Sequence, residues 1–158
     1  MAKIRIKRID KELPLPQFDE ADPKTLERYD KSQVAAFDLY CREDKIIPPH
    51  ELVLVAVNNV IETPPDCFLL LAARSSTSWK KGLMLANGIG IVDPFYSGDS
   101  DELKIQLLNF TDQPVEVHKG EALAQGVIVR REPIEWEEVE AMDADGHGGY
   151  KTDLDKTD

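Results

Sequence analysis

The sequence predicts an all-β fold, a jelly-roll-like barrel of short and mostly antiparallel strands, with one short helix and a flexible C-terminal arm. Three observations predict it. Short runs along the chain alternate apolar and polar residues or are rich in β-branched side chains. Turn formers break these runs at close intervals. No helical periods alternate with them, which favours an all-β barrel or sandwich.

The strand candidates, in order, are Lys3–Ile9, Leu52–Val57, Cys67–Ala72, Leu103–Phe110, Pro114–His118 and Gly126–Arg131. The punctuators between them read IPPHE, TPPD, NG, TDQP and HKGE. The helix is predicted near DPKTLERY, where Asp22 is placed to cap and Pro23 to occupy the first helical position. Residues 1–135 form the barrel domain. From 136 to 158 the chain becomes an acidic tail around a Gly-rich stretch at 145–152. Most acidic tails are only solvated ends. The Gly-His-Gly-Gly-Tyr core is the part that reading leaves unexplained.

At 158 residues the chain is long enough for one well-buried core. A hydrophobic share of 42% with 31% charged residues fits a soluble globular protein. The net charge of −11 argues against general nucleic-acid binding, which needs a basic footprint. It does not exclude a polyphosphate, because a few local donors and a divalent cation suffice for a small anion. Cys41 and Cys67 are too few for a disulfide framework and fit a reducing cytoplasm. No apolar run reaches membrane-helix length, and MAKIRIKRID lacks the apolar centre of a signal peptide, so no membrane partner is expected.

The segment from Ala73 to Gly98, ARSSTSWKKGLMLANGIGIVDPFYSG, holds most of the candidate chemistry. Asn87-Gly88 is a hairpin signal, since both residue types tolerate positive φ. Gly90 exposes backbone to which a flat ligand has close access. Ile91 and Val92 read as a buried pair, and Asp93 before Pro94 is biased towards an extended conformation. Each signal has an ordinary explanation. Asp93 alone is a turn carboxylate facing water, Tyr96 alone a half-buried strand aromatic, and Arg74-Ser75-Ser76 alone a polar loop after a buried strand.

In order, however, these signals resemble the five motifs of the trimeric dUTPase family. The motifs correspond to AAFDLY (Ala35–Tyr40), RSS (Arg74–Ser76), NGIGIVDPFYSG (Asn87–Gly98), KGEALAQ (Lys119–Gln125) and DGHGGYKT (Asp145–Thr152). The resemblance runs from Ile4 to about Thr152 and implies the family's β-clip barrel and a homotrimer with sites at subunit interfaces. It also implies hydrolysis of dUTP to dUMP and pyrophosphate by water attack on the α-phosphate.

Roles follow from the resemblance. Asp93 orients and deprotonates the water, which is a poor nucleophile at neutral pH. Ser75 donates near the α–β bridging oxygen, while Arg74, Ser76 and Gln125 hold phosphate oxygens. The implied cofactor is Mg²⁺, held mainly by phosphates and water, with Asp38 touching its hydration shell or else stabilising internal hydrogen bonds. Backbone groups of Ile91 and Val92, with Asn87, read the uracil edge, and a mismatched base leaves them unpaired. Tyr96 packs under the deoxyribose and excludes a 2′-hydroxyl. Lys104 stands at another substrate-contacting position, or is simply an exposed strand lysine. Gly149 and Tyr150 belong to a flap that folds over the nucleotide.

The chain also departs from the family pattern. Asp145 and Ala122 stand where arginines are usual, Phe95 replaces a frequent acid, and Asp99–Glu102 is an insertion that alters the pocket mouth. These departures keep alternatives open: a pyrophosphatase for another or modified deoxynucleotide such as dCTP, or a dUTPase-like binding or regulatory protein without catalysis. A dCTP deaminase needs a carboxylate on the strand ending in Asn109. That strand offers Gln106, which cannot shuttle the proton, and Trp79 replaces an arginine expected after the triplet.

Overall fold

The computed structural model describes residues 3–18 and 33–146. Among these residues twelve strands and one helix follow one another: β1 (Arg5–Arg8), β2 (Gln17–Phe18), β3 (Phe37–Tyr40), β4 (Lys45–Ile47), β5 (Leu52–Ala56), β6 (Asn59–Glu62), β7 (Cys67–Ala73), α1 (Ser75–Lys81), β8 (Leu83–Leu85), β9 (Gly90–Val92), β10 (Lys104–Asn109), β11 (Val115–Val117) and β12 (Ala122–Arg130). They form a five-stranded sheet in the order β2-β3-β12-β7-β9, a three-stranded sheet β5-β10-β8, and the pairs β1-β6 and β4-β11. Every pairing is antiparallel.

The core lies between the inner faces of the two larger sheets. Strand alternation places it there: Cys67, Leu69 and Leu71 point inward from β7, and Ile105, Leu107 and Asn109 from β10. Leu39, Val55, Leu83, Leu85 and Leu123 are among the residues that pack with them. Asn109 is tolerated inside because its amide donates to the carbonyls of Ile47 (3.0 Å) and Gln113 (2.8 Å), while its oxygen accepts from Thr111. Cys41 and Cys67 are free and buried, and burial pushes the Cys41 thiol up to about 12, far from its reactive thiolate form.

Several elements differ from the sequence expectations. The strand expected at Gly126–Arg131 begins at Ala122, and that expected at Lys3–Ile9 is confined to Arg5–Arg8. The short strands β2, β3, β4, β6, β8 and β9 hold too few residues to show alternation. Arg74-Ser75-Ser76 is not a polar loop but the entry to α1. The helix predicted near Asp22 and Pro23 lies outside the described residues. Residues 131–146 carry neither strand nor helix and are exposed. Among the described residues no helix is long and apolar enough to cross a membrane.

Gly82 ends α1 in the left-handed region at φ 67°, its N–H donating to the Ser78 and Thr77 carbonyls. A methyl group there would collide with the Thr111 side chain. Gly82→Ala is therefore expected to cost about 3 kcal/mol, combining φ strain with overpacking. Denaturant unfolding checks this, and Thr111→Ser in the same background should recover part of the loss.

Candidate active site

Two groups of side chains are built on the five-stranded sheet. The first gathers where β3, β12 and β7 run side by side. Gln125 of β12 stands opposite Asp38 of β3, and Ala124 stands opposite Ala73 at the end of β7. The chain then leaves β7 through Arg74, whose N–H donates to the Leu123 carbonyl at 3.1 Å. The Thr77 hydroxyl donates to that same carbonyl at 2.6 Å, so α1 is tied to β12 within its first turn. Ser75 and Ser76 open the helix beside Arg74.

Asp38 fixes the arginine. Its Oδ1 lies 2.9 Å from Arg74 Nε, with both side chains largely withdrawn from solvent. A guanidinium held through Nε keeps its plane in one orientation, which suits forked recognition of phosphate oxygens. Gln125 is fixed as well, its Nε2 donating to the Ala73 carbonyl at 3.0 Å. Asp38, Arg74, Ser75, Ser76 and Gln125, far apart in sequence, thus share one corner.

The second group lies along β9, the edge strand of the sheet. Asn87-Gly88 reverses the chain with Gly88 at φ 69°, but the expected hairpin does not form. β8 pairs with β10 and β9 with β7, so the turn is a corner between two sheets. Ile91 is 63% exposed rather than buried, and only Val92 packs against the core. Gly90 faces Leu71, whose Cβ would lie 3.1 Å from an added Cβ; this glycine serves close strand packing as well as access. The outer edge of β9 presents backbone donors and acceptors, the groups a planar base edge can pair with.

Beyond β9, Asp93, Pro94, Phe95 and Tyr96 make a tight turn in which the Tyr96 N–H donates to the Asp93 carbonyl at 3.1 Å. The Asp93 and Tyr96 side chains are exposed, and Phe95 is 82% exposed. Lys104 begins β10, also exposed, opposite Ala56. Gly149 and Tyr150 lie outside the described residues.

The β7–β9 register sets the distance between the groups. Val92 pairs with Leu69, so Asp93 projects past that end of the ladder, while Arg74 follows Ala73 at the other. At 3.2–3.4 Å per residue the two are separated by roughly 20 Å along β7. A general base must reach its proton directly or through one water. Within one chain, Asp93 and Arg74 therefore stand too far apart to act on one atom.

Among solved structures, the chain is similar to dUTPase from Streptococcus mutans, with a TM-score of 0.69, 28% identity, and coverage of 83% of this chain and 98% of that one. It is also similar to the Staphylococcus bacteriophage 80alpha dUTPase with dUPNHPP, with a TM-score of 0.74, 21% identity and 99% of each chain covered. The dUTPase family profile matches residues 22–151. The deoxyuridine 5'-triphosphate nucleotidohydrolase of Corynebacterium glutamicum is 34% identical over 153 residues, covering 95% of this chain and 93% of the relative. That of Dictyoglomus turgidum is 32% identical over 146 residues, covering 90% of each. The chain belongs to the dUTPase family.

Proposed function

We propose that the chain hydrolyses dUTP to dUMP and pyrophosphate as a homotrimer, each site completed by residues of more than one copy. The observation that carries this reading is the arrangement along β7. A fixed guanidinium and two serines stand at one end, and an edge strand with an open backbone edge leads into Asp93 and Tyr96 at the other. Two copies joined so that these ends meet would supply donors and base to one nucleotide.

In this reading Asp93 holds and deprotonates the water in line with the α-phosphorus. Arg74, Ser75, Ser76 and Gln125 receive the charge that develops on the phosphates, and their preorganisation lowers the barrier without reorganisation during reaction. The outer edge of β9 at Ile91 and Val92, with Asn87, pairs with uracil, and Tyr96 packs against the deoxyribose. Gly149 and Tyr150 complete the flap over the base, and Lys104 contributes a further substrate contact.

Among the described residues no group of three or more His, Cys, Asp or Glu side chains is placed to hold a metal. In this reading Mg²⁺ would be carried mainly by phosphate oxygens and water, which suits this ion's reluctance to dehydrate. When bound, Mg²⁺ would offset triphosphate charge. Asp38 would meet its hydration shell while Oδ1 keeps Arg74 in place.

Pyrophosphate release measured with dUTP, dCTP, dTTP and UTP in the presence of Mg²⁺ tests the proposal. Release from dUTP is expected to exceed that from dCTP by at least about a thousandfold in kcat/KM, because cytosine's edge leaves polar groups unpaired. The competitors dTTP and UTP share uracil's edge and are disfavoured by the thymine methyl and by the 2′-hydroxyl that Tyr96 excludes. Preferential release from dCTP would assign the chain to a different nucleotide.

A further inference from the structure

We propose that the bend from Gly98 to Glu102 positions the Asp93–Tyr96 turn, with Glu102 as its inner anchor and Asp99 as its outer tether; the proposal rests on the reading of Asp93 as the base. From Asp93 to Leu103 the chain carries no strand. A surface segment of that kind is ordinarily loose. This one is held at both ends and in its middle.

Its beginning grows directly from the β7–β9 ladder. In its middle, the Asp101 N–H donates to the Gly98 carbonyl at 2.9 Å, while Asp101 Oδ2 accepts from the Gly98 N–H at 2.8 Å. These reciprocal bonds close the bend. On the outer side, Lys7 of β1 donates to both the Asp99 carbonyl (2.9 Å) and its Oδ1 (2.8 Å). On the inner side, Glu102 is buried and its Oε1 accepts from Arg42 Nε at 2.6 Å and from the Asn58 N–H at 3.1 Å. Asn58 adopts φ 66° at the β5–β6 corner. Leu103 completes the anchor, its N–H donating to the Asn59 carbonyl at 2.9 Å.

The energetics separate the two attachments. An exposed ion pair such as Lys7–Asp99 adds little to stability, so its consequence is orientation. A buried carboxylate is retained only when its oxygens are satisfied, and removing such a partner loosens what it held. Neither Glu102 nor Asp99 contacts reacting atoms in the proposed mechanism. Both act through the turn that carries Asp93 and Tyr96, where a displacement of about 1 Å is enough to cost on the order of a hundredfold in rate. The insertion is therefore a strut.

The test compares the full-length wild type with Glu102→Ala, Glu102→Gln and Asp99→Ala. Hydrogen exchange at the Tyr96 and Gly98 amides is measured against amides of β10 and β12, alongside oligomeric state and the kcat and KM of dUTP hydrolysis. Glu102→Ala is expected to speed exchange at those two amides about tenfold without affecting the strands, and to lower kcat about tenfold with KM within about threefold. Glu102→Gln keeps the acceptor and should restore both readouts to within about threefold of wild type. Asp99→Ala should give a smaller change, about threefold, in the same direction. Unchanged exchange at Tyr96 and Gly98 in a folded Glu102→Ala variant overturns the proposal. So does a uniform loss of protection that Glu102→Gln fails to reverse. Should Glu102→Ala not fold, unchanged exchange in both Asp99→Ala and Lys7→Ala overturns it. A wild type inactive on dUTP would defeat the functional reading, while the exchange pattern would still decide whether the strut holds the turn.

Discussion

Asp93→Asn is expected to bind a non-hydrolysable dUTP analogue within a few-fold of wild type while kcat falls by about three orders of magnitude. The two side chains have nearly the same shape, but the amide cannot accept the water's proton, and general-base contributions are of about that size. The surrounding geometry should survive the change. Pro94 restrains the neighbouring backbone, and the turn is closed by the Asp93 carbonyl accepting from Tyr96, not by the carboxylate. Calorimetric binding and single-turnover pyrophosphate release separate the two quantities. Turnover within tenfold of wild type would remove Asp93 from the role of base, and loss of binding would make it a substrate contact instead.

How far the sequence discloses this architecture depends on the range of the forces involved. The longer strands are legible because burial on one face writes a two-residue period into the chain. On β10 the inward Ile105 and Leu107 alternate with the polar Lys104 and Gln106, whereas β7 reads as a short, continuously apolar run. α1 is not legible from SSTSWKK, which is rich in residues of modest helix propensity. Its stability comes from tertiary contacts and caps: the buried Thr77 bonded to β12, the left-handed Gly82, and Lys80 and Lys81 in the last turn. Only the glycine and lysines left a trace in the sequence.

The turn at Asn87-Gly88 teaches a related lesson. Turn chemistry is local and correctly marks where the chain reverses. Partner choice is decided elsewhere, by the surfaces that β7 and β10 offer to β9 and β8. The candidate site divides in the same way. Its residue types and order are readable as motifs, whereas the Asp38–Arg74 pairing and the distance from Arg74 to Asp93 follow from sheet register. Lys7 and Arg42 leave no signal in the sequence, since their partners Asp99 and Glu102 are brought to them only by the fold.

Co-expressing Asp93→Asn chains with Arg74→Gln chains is expected to restore about a quarter of wild-type activity, although each variant alone is nearly inactive. The distance along β7 is the reason: if Asp93 and Arg74 cannot meet within one chain, each working site draws them from different copies. Random mixing at equal amounts makes about three quarters of trimers heterogeneous, and each of those holds one site with both residues intact, or about one site in three. Gln is chosen for Arg74 because its amide still offers Asp38 a donor, whereas Ala would leave that carboxylate poorly compensated. Chains that share both residues within one subunit would regain nothing on mixing, because every site would carry one lesion or the other. Recovery near a quarter, measured as pyrophosphate release from the co-purified mixture of trimers, therefore separates a site built between copies from a site built within one.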